Sequence, residues 1–411
     1  MAEAERVHRV VEAVARTSYG RLISYLSARS HDVASAEDAL ADAFAAALRT
    51  WPDHGVPSNP EAWLLHAARR RLIDRIRHER TRNEKVDALQ QMLAEAEDLT
   101  STSAFPDERL KLLFVCAHPA LDARVHTPLM LQVVLGLDAA AIAAAFLTPA
   151  ATVGQRLSRA KTKIRDTRIA FEVPPPAALP ARLFAVLEGM YAAYNHGWDE
   201  TQGADAKHRG LTEEAIWLAR MAALLLPNEP EALGLLALMQ YCEARRPARR
   251  TPAGEYVPMS AQDTQLWSRP RLDEADRLLR LAAAHGRPGR FQLEAAIQSA
   301  HIERVRSRTA DWSVIAVLYE GLVRLAPTVG ALLGRAAAIA QAHGAEAGLA
   351  LLSQLPASQM DAHQPYWALR AHLLHELRRG AEASAAFTKA IELTEDQAVR
   401  SFLEQQRAAE S

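Results

Sequence analysis

The 411 residues carry 48 Lys and Arg against 49 Asp and Glu, and 49% of them are hydrophobic. At roughly 100 to 200 residues per domain this makes two or three domains, and the composition excludes global disorder. The two cysteines, Cys116 and Cys242, cannot build a disulfide framework or a four-thiolate metal site, so a reducing, cytoplasmic setting is expected. With no basic-then-apolar leader and no uncharged apolar run of about 18 residues, neither export nor a membrane span is expected.

Apolar residues recur at three- and four-residue spacing, alanine and leucine abound, and long β-branched alternations are absent, so the predicted fold class is all-α. Predicted helices cover 5–28, 34–49, 60–83, 107–117, 122–135, 138–146 and 150–170. Between the second and third, Trp51 to Pro60 holds three prolines and a glycine and is predicted as a loop. Residues 85–106 are polar and acidic and suit a linker, and Pro174-Pro175-Pro176 marks a second boundary. Three modules result: 1–84, 107–171 and 177–411.

The third module reads as helical pairs. Pro227, Pro327 and the helix end at Leu393-Thr394 lie 100 and 67 residues apart, near multiples of the period of about 34 that belongs to tetratricopeptide repeats. In the best unit, residues 380–393, Ala383 and Ala390 would let a neighbouring helix approach while Phe387 fills the gap. A generic helical array is the alternative, because the other units are degenerate.

The near-zero net charge conceals an alternation. Residues 1–60 carry 6 basic and 8 acidic groups, 61–85 carry 8 and 4, 86–148 carry 3 and 8, and 149–170 carry 6 and 1. The two basic segments coincide with two helical patterns. Around residues 136–165, Asp138 can cap a short helix with Ile142 and Phe146 on its apolar face, Thr148-Pro149 forces a turn, and a second helix opens near Ala150. Val153, Leu157 and Ala160 would face inward, leaving Thr152, Gln155, Arg156 and Arg159 for a major groove and Lys161, Lys163 and Arg165 for phosphates. That is the punctuation of a helix-turn-helix. Gly154 costs about 1 kcal/mol in a helix interior, and close approach of another surface is one reason for it.

Earlier, Asp38 and Asp42 lie one turn apart on a helix whose other face carries Leu40, Phe44 and Leu48. No histidine, metal triad or glycine-rich phosphate loop accompanies them, so a solvated or partner-binding face is expected rather than acid/base chemistry. From Trp63 to Arg80, Leu64, Ala68, Leu72 and Ile76 recur every four residues, and arginines cover the remaining faces. Trp51 and Trp63 suit either a core or stacking on bases. His118, His196, His372 and His375 lack metal-ligand spacing with acidic or thiol partners, so no metal, cofactor or catalytic residue is expected.

Taken in order, these segments resemble a bacterial RNA polymerase sigma factor of the extracytoplasmic-function type. Residues 36–44 resemble the region that binds core polymerase, and the resemblance assigns Glu37, Asp38, Asp42 and Phe44 to that contact. Residues 63–77 resemble the part that melts and reads the minus-10 promoter element, implying roles for Trp63, His66, Arg69, Arg70, Arg71, Arg75 and Arg77. Residues 136–165 resemble the minus-35 reader, implying Thr152, Gln155, Arg156, Arg159, Lys161, Lys163 and Arg165. Asp107 to Leu121, with Leu235 to Met239 and Ala244 to Arg249, are similar to the subgroup with a tetratricopeptide-like C-terminal extension. A lysine is common in that family where Gly154 stands, a second cysteine where Ala117 stands, and Tyr194 to Trp198 match the subgroup motif only partly. The implied partners are core RNA polymerase, through its beta-prime clamp and beta flap, and promoter DNA, both duplex and melted non-template strand. The extension would regulate this core or dock a protein partner. A rival reading is a helix-turn-helix regulator with a repeat-type sensor arm that acts without polymerase.

Overall fold

A computed structural model describes residues 2–79, 107–145, 148–175, 177–198, 209–307, 311–356 and 360–408. Every regular element among them is a helix or a single 3-10 turn, and the one β-type pairing is an isolated bridge between Arg250 and Tyr256. The expected all-α class therefore holds. No helix among the described residues is long and apolar enough to cross a membrane. The sequence segment taken as a linker, 85–106, lies outside the described residues.

Two compact units form, one of Met1–Glu200 with Ala204–Ala222 and one of Thr201–Gly203 with Ala223–Ser411. The first opens with α1 (Ala2–Ser30), α2 (Val33–His54) and α3 (Pro60–Glu79). Leu22, Ile23, Leu26, Leu40, Ala43, Leu64 and Leu72 are buried among these three helices. Asp32 caps α2 by accepting from the Ser35 amide at 3.2 Å, and Asn59 accepts from the Ala62 amide at 3.0 Å to open α3.

The stretch predicted as a loop, Trp51 to Pro60, is half helix. α2 runs through Pro52 to His54, and the loop proper is only 55–59. A proline in a last turn gives up little beyond the bond to the carbonyl four residues back, and the buried Trp51 (2% exposed) offsets it. Trp51 meets Trp63 edge to face with ring centroids 5.3 Å apart, while the Gly55 amide donates to the Trp51 carbonyl and closes the helix.

Next come α4 (Arg109–Cys116), α5 (Ala123–Val133), α6 (Ala139–Ala145) and α7 (Ala150–Asp166). These helices dock on α1 and α2 within the same unit. α1 reaches the end of α5 so closely that a Cβ on Gly20 would collide with the Val134 carbonyl. Gly136 turns the chain with φ +70° against the ring of Tyr19, and His31 meets Phe171 edge to face at 5.7 Å.

Two further helices complete this unit: α8 (Leu179–Trp198) and most of α9 (Arg209–Leu225). α8 packs on α4 and α5, burying Leu183, Val186, Leu187 and Met190, and its Gly189 sits on Met130. Arg182, itself buried, donates to the Phe114 carbonyl. From α9, Glu214 pairs with the buried Arg109, which also chelates Asp107 and stacks on Trp217 at 3.9 Å. The boundary between compact units thus falls near Ala222 rather than at the proline run, because α8 packs its apolar face on α4 and α5 and Arg109 of α4 holds Glu214 and Trp217 of α9.

The second unit holds α10 (Pro230–Arg245), α11 (Arg269–Ala284), α12 (Arg290–Ser307), α13 (Trp312–Leu325), α14 (Val329–His343), α15 (Ala345–Leu352), α16 (Gln364–Glu376), α17 (Gly380–Leu393) and α18 (Gln397–Ala408). α10 is apolar all round and buried between α11 and α12. Later helices pack in sequential pairs, α13 on α14 and α16 on α17. Ala383, Phe387 and Ala390 lie in the buried core between α16 and α17, as their spacing predicts. Residues 246–268 after α10 reach the last two helices of this unit: Arg250 pairs with Asp396, and Tyr256 meets Phe402 edge to face at 5.4 Å.

Candidate nucleic-acid interface

α7 is an amphipathic helix with a narrow buried column of Val153, Leu157, Ala160 and Ile164. Asp138 caps the preceding α6 by accepting from the Ala141 amide at 2.8 Å, and the chain enters α7 through Thr148 and Pro149. Gln155, Arg156, Arg159, Lys163 and Arg165 project into solvent, and Thr152 is half-buried at the entrance. Phe146, predicted on the apolar face of α6, lies outside the described residues. No atom lies within 4 Å of a Cβ built on Gly154, so close approach within the chain does not explain that glycine.

Beside α7 a cleft of about 340 Å³ is lined by Arg124, Arg156, Arg159 and Lys163 together with Asp122. Arg124 stands in the first turn of α5, where Asp122 accepts its amide at 2.9 Å. Four cations converging there can neutralise phosphate oxygens, with the exposed end of α7 free to enter a groove. The sequence reading missed Arg124, one of only three basic residues in the acidic stretch 86–148. Regional charge counting hid it, and only the placement of α5 against α7 revealed it.

Lys161 does not join this face. It is turned toward α2, where its ammonium bonds Glu37 at 2.6 Å, the two side chains being 12% and 18% exposed. The residue assigned to phosphate and the residue assigned to polymerase therefore occupy each other. Desolvation pushes the Glu37 carboxyl above its ordinary range, and Lys161 opposes that rise.

The second basic helix is arranged differently. Its buried stripe is two columns wide, Leu64 with Leu65, Ala68 with Arg69, and Leu72 with Ile73, not the single column read from the sequence. Arg69 is consequently buried (5% exposed) and is no part of an outer face. His66, Arg70 and Arg71 are exposed, and Trp63 is half-buried against Trp51. Partial desolvation and the guanidiniums of Arg70 and Arg69 hold His66 below its ordinary pKa, so it is neutral near pH 7. Arg75 reaches back to Asp38 at 2.8 Å with both side chains largely in solvent. The side chain of Arg77 lies outside the described residues. On α2, Asp42 is exposed and Phe44 is half-buried. Among the described residues no group of three or more His, Cys, Asp or Glu is placed to hold a metal ion.

This pairing of an acidic helix with an arginine helix coincides with a known family. Residues 14–82 match Sigma-70 region 2, and residues 182–283 match a family of unknown function, DUF6596. The N-terminal part thus defines a sigma-70 family factor, a class whose partners in general are core RNA polymerase and promoter DNA. The whole chain is 36% identical over 394 residues to an uncharacterized protein, R00370, of Rhizobium meliloti (strain 1021), covering 94% of this chain and 92% of the relative. It belongs to the family of that rhizobial protein. No solved structure matches the chain.

Proposed function

We propose that this chain is a sigma factor of the extracytoplasmic-function type that binds core RNA polymerase and directs initiation at promoters with two separate elements. The observation that carries the upstream half is the outer face of α7, where Gln155, Arg156 and Arg159 project beside the cationic cleft completed by Arg124. In this reading α6 and α7 form a helix-turn-helix on the minus-35 element. Gln155 and Arg156 read base edges, and Arg124, Arg159, Lys163 and Arg165 sit on phosphates.

α3 would serve the minus-10 element through His66, Arg70, Arg71 and Arg75, with Trp63 at the margin of the melted strand. Asp38, Asp42 and Phe44 on α2 would meet the beta-prime clamp, and α4 to α7 the beta flap. Polymerase supplies the chemistry, so no catalytic residue is assigned to this chain. The helical array beyond α9 would be a tetratricopeptide-like regulatory or partner-binding extension.

Run-off transcription with core polymerase and the purified full chain on genomic fragments tests the reading. Promoter-specific transcripts that disappear with Arg156→Ala are expected, and their absence with the unmodified chain would sink it. Charge reversal at the exposed Asp42 separates this from a regulator that acts without polymerase: association with core polymerase should weaken, and unchanged association favours the rival.

A further inference from the structure

The second compact unit holds a group of cations that the proposed function leaves unused. In the basic run that closes α10, the exposed Arg246 pairs with Glu243 at 3.3 Å and Arg250 pairs with Asp396 at 2.5 Å. Arg245 is the most buried arginine of that run, at 9% exposure. Among the described residues its guanidinium nevertheless bonds only a neutral group, the Gln298 amide oxygen at 2.5 Å, and its Nε is buried with no hydrogen-bond partner.

Helix α12 brings two more basic side chains to the same place. Gln298, His301 and Arg304 follow one another at three-residue steps down one side of that helix. The Arg304 guanidinium stands 4.6 Å from the centre of the Trp312 ring at the start of α13, and the His301 ring meets the same tryptophan edge to face at 5.6 Å. The Nε of Arg304 is also buried without a hydrogen-bond partner among the described residues. The carboxylates on neighbouring turns are engaged elsewhere, Glu243 by Arg246 and Glu294 by Arg290 at 2.7 Å. Burial, then the charges of Arg304 and Arg245, push His301 down to about 4, so the ring is neutral near pH 7.

Two guanidiniums brought near one imidazole without a carboxylate are a costly arrangement. Burial penalises each charge, their mutual repulsion adds to that penalty, and among the described residues no counter-charge offsets it. An oxyanion supplies what is missing. A carboxylate or phosphate group accepts readily from guanidinium N–H groups, and the donors waiting here are the Nε of both arginines and the Gln298 amide nitrogen, left over when its oxygen accepts from Arg245. Gln298, His301, Arg304 and Trp312 are each half-buried, so solvent reaches the group, whose innermost member is Arg245. We propose that Arg245, Gln298 and Arg304 form a binding site for a small soluble ligand that carries an oxyanion, a carboxylate or a phosphate group. The site gives the C-terminal extension a ligand of its own, apart from the promoter and polymerase surfaces of the first unit.

Thermal unfolding of the full chain at constant ionic strength, with chloride exchanged for inorganic phosphate or for acetate, tests the site. At least one of these anions should raise the unfolding temperature saturably, and Arg245→Gln or Arg304→Gln should raise the half-saturating concentration about tenfold or more. Arg246→Gln removes the same charge from an exposed neighbour and should leave that concentration unchanged. The comparison also separates the site from anion binding on the basic face of α7, which none of the three substitutions touches. Ring NMR of His301, assigned with His301→Gln, gives a second readout that needs no arginine variant to fold: the bound anion favours the imidazolium, so the pH at which the ring protonates should rise. The anion that acts at the lower concentration identifies the ligand group as phosphate or carboxylate. Equal responses in Arg245→Gln, Arg304→Gln and Arg246→Gln, or no effect of either anion on the His301 ring, overturn the proposal.

Discussion

The two basic helices, α3 and α7, carry similar numbers of cations yet present them differently, and the width of the buried stripe explains why. On α7 one column of Val153, Leu157, Ala160 and Ile164 is buried, which leaves the rest of the circumference for charge. On α3 two adjacent columns are buried, and the second takes Arg69 out of solvent along with Leu65 and Ile73. A basic helix therefore offers its charges according to how many neighbours it packs on. α3 is covered by both α1 and α2, whereas α7 leans on α5, α6 and one end of α2.

The largest expected effect breaks the support beneath α7. Truncation after Phe171 removes α8 and α9 and exposes the surface now covered by Leu183, Val186, Leu187 and Met190. At about 1.5–3 kcal/mol for each fully buried large apolar side chain, several kcal/mol are lost. Thermal unfolding of residues 1–171 should begin at least 10 °C lower or lose cooperativity, and an unchanged transition would show that α8 is dispensable. Truncation is accordingly no clean assay of a regulatory role for the extension. Arg109→Ala acts on the same support by stranding Asp107 and Glu214, and about 3 kcal/mol of stability should disappear in chemical denaturation.

Next in size is the split between Arg156 and Arg69. Arg156→Ala should cost about 1–3 kcal/mol in promoter affinity with the melting curve unmoved. Arg69→Ala should do the reverse, lowering stability and leaving duplex binding by α7 intact. Identical phenotypes in paired binding and melting measurements would mean that the stripe-width explanation is wrong. Gly154→Ala should stabilise the chain by about 1 kcal/mol, since the position is helical with open space around it. If that gain comes with weaker DNA binding, the glycine serves the nucleic-acid surface. Smallest is Arg75→Ala, because its pair with Asp38 lies largely in solvent, and a change below about 1 kcal/mol is expected in denaturant unfolding.

Much of this was legible in the sequence. The inward column of α7 followed from i, i+4 spacing, the start of α6 from Asp138, and the buried face of α17 from Ala383, Phe387 and Ala390, because each depends only on helical periodicity and local hydrogen bonding. Less legible were features set by neighbours. Trp51 and Pro52 read as the start of a loop, since the cost of the proline is visible locally and the Trp63 ring that offsets it is twelve residues away. Arg69 read as exposed because one apolar column was counted where the packing uses two. The proline run at 174–176 read as a domain boundary, yet the apolar face of α8 covers α4 and α5.

Local chemistry alone thus determined the helices, their caps and the alternation of acidic and basic segments. Tertiary structure decided which of those charges are available. Glu37 and Lys161 are ordinary members of an acidic and a basic helix until α7 is laid on α2. A periodic pattern fixes the face of a helix on which a side chain emerges, but its partner depends on the placement of a second helix 124 residues away, which no local rule encodes.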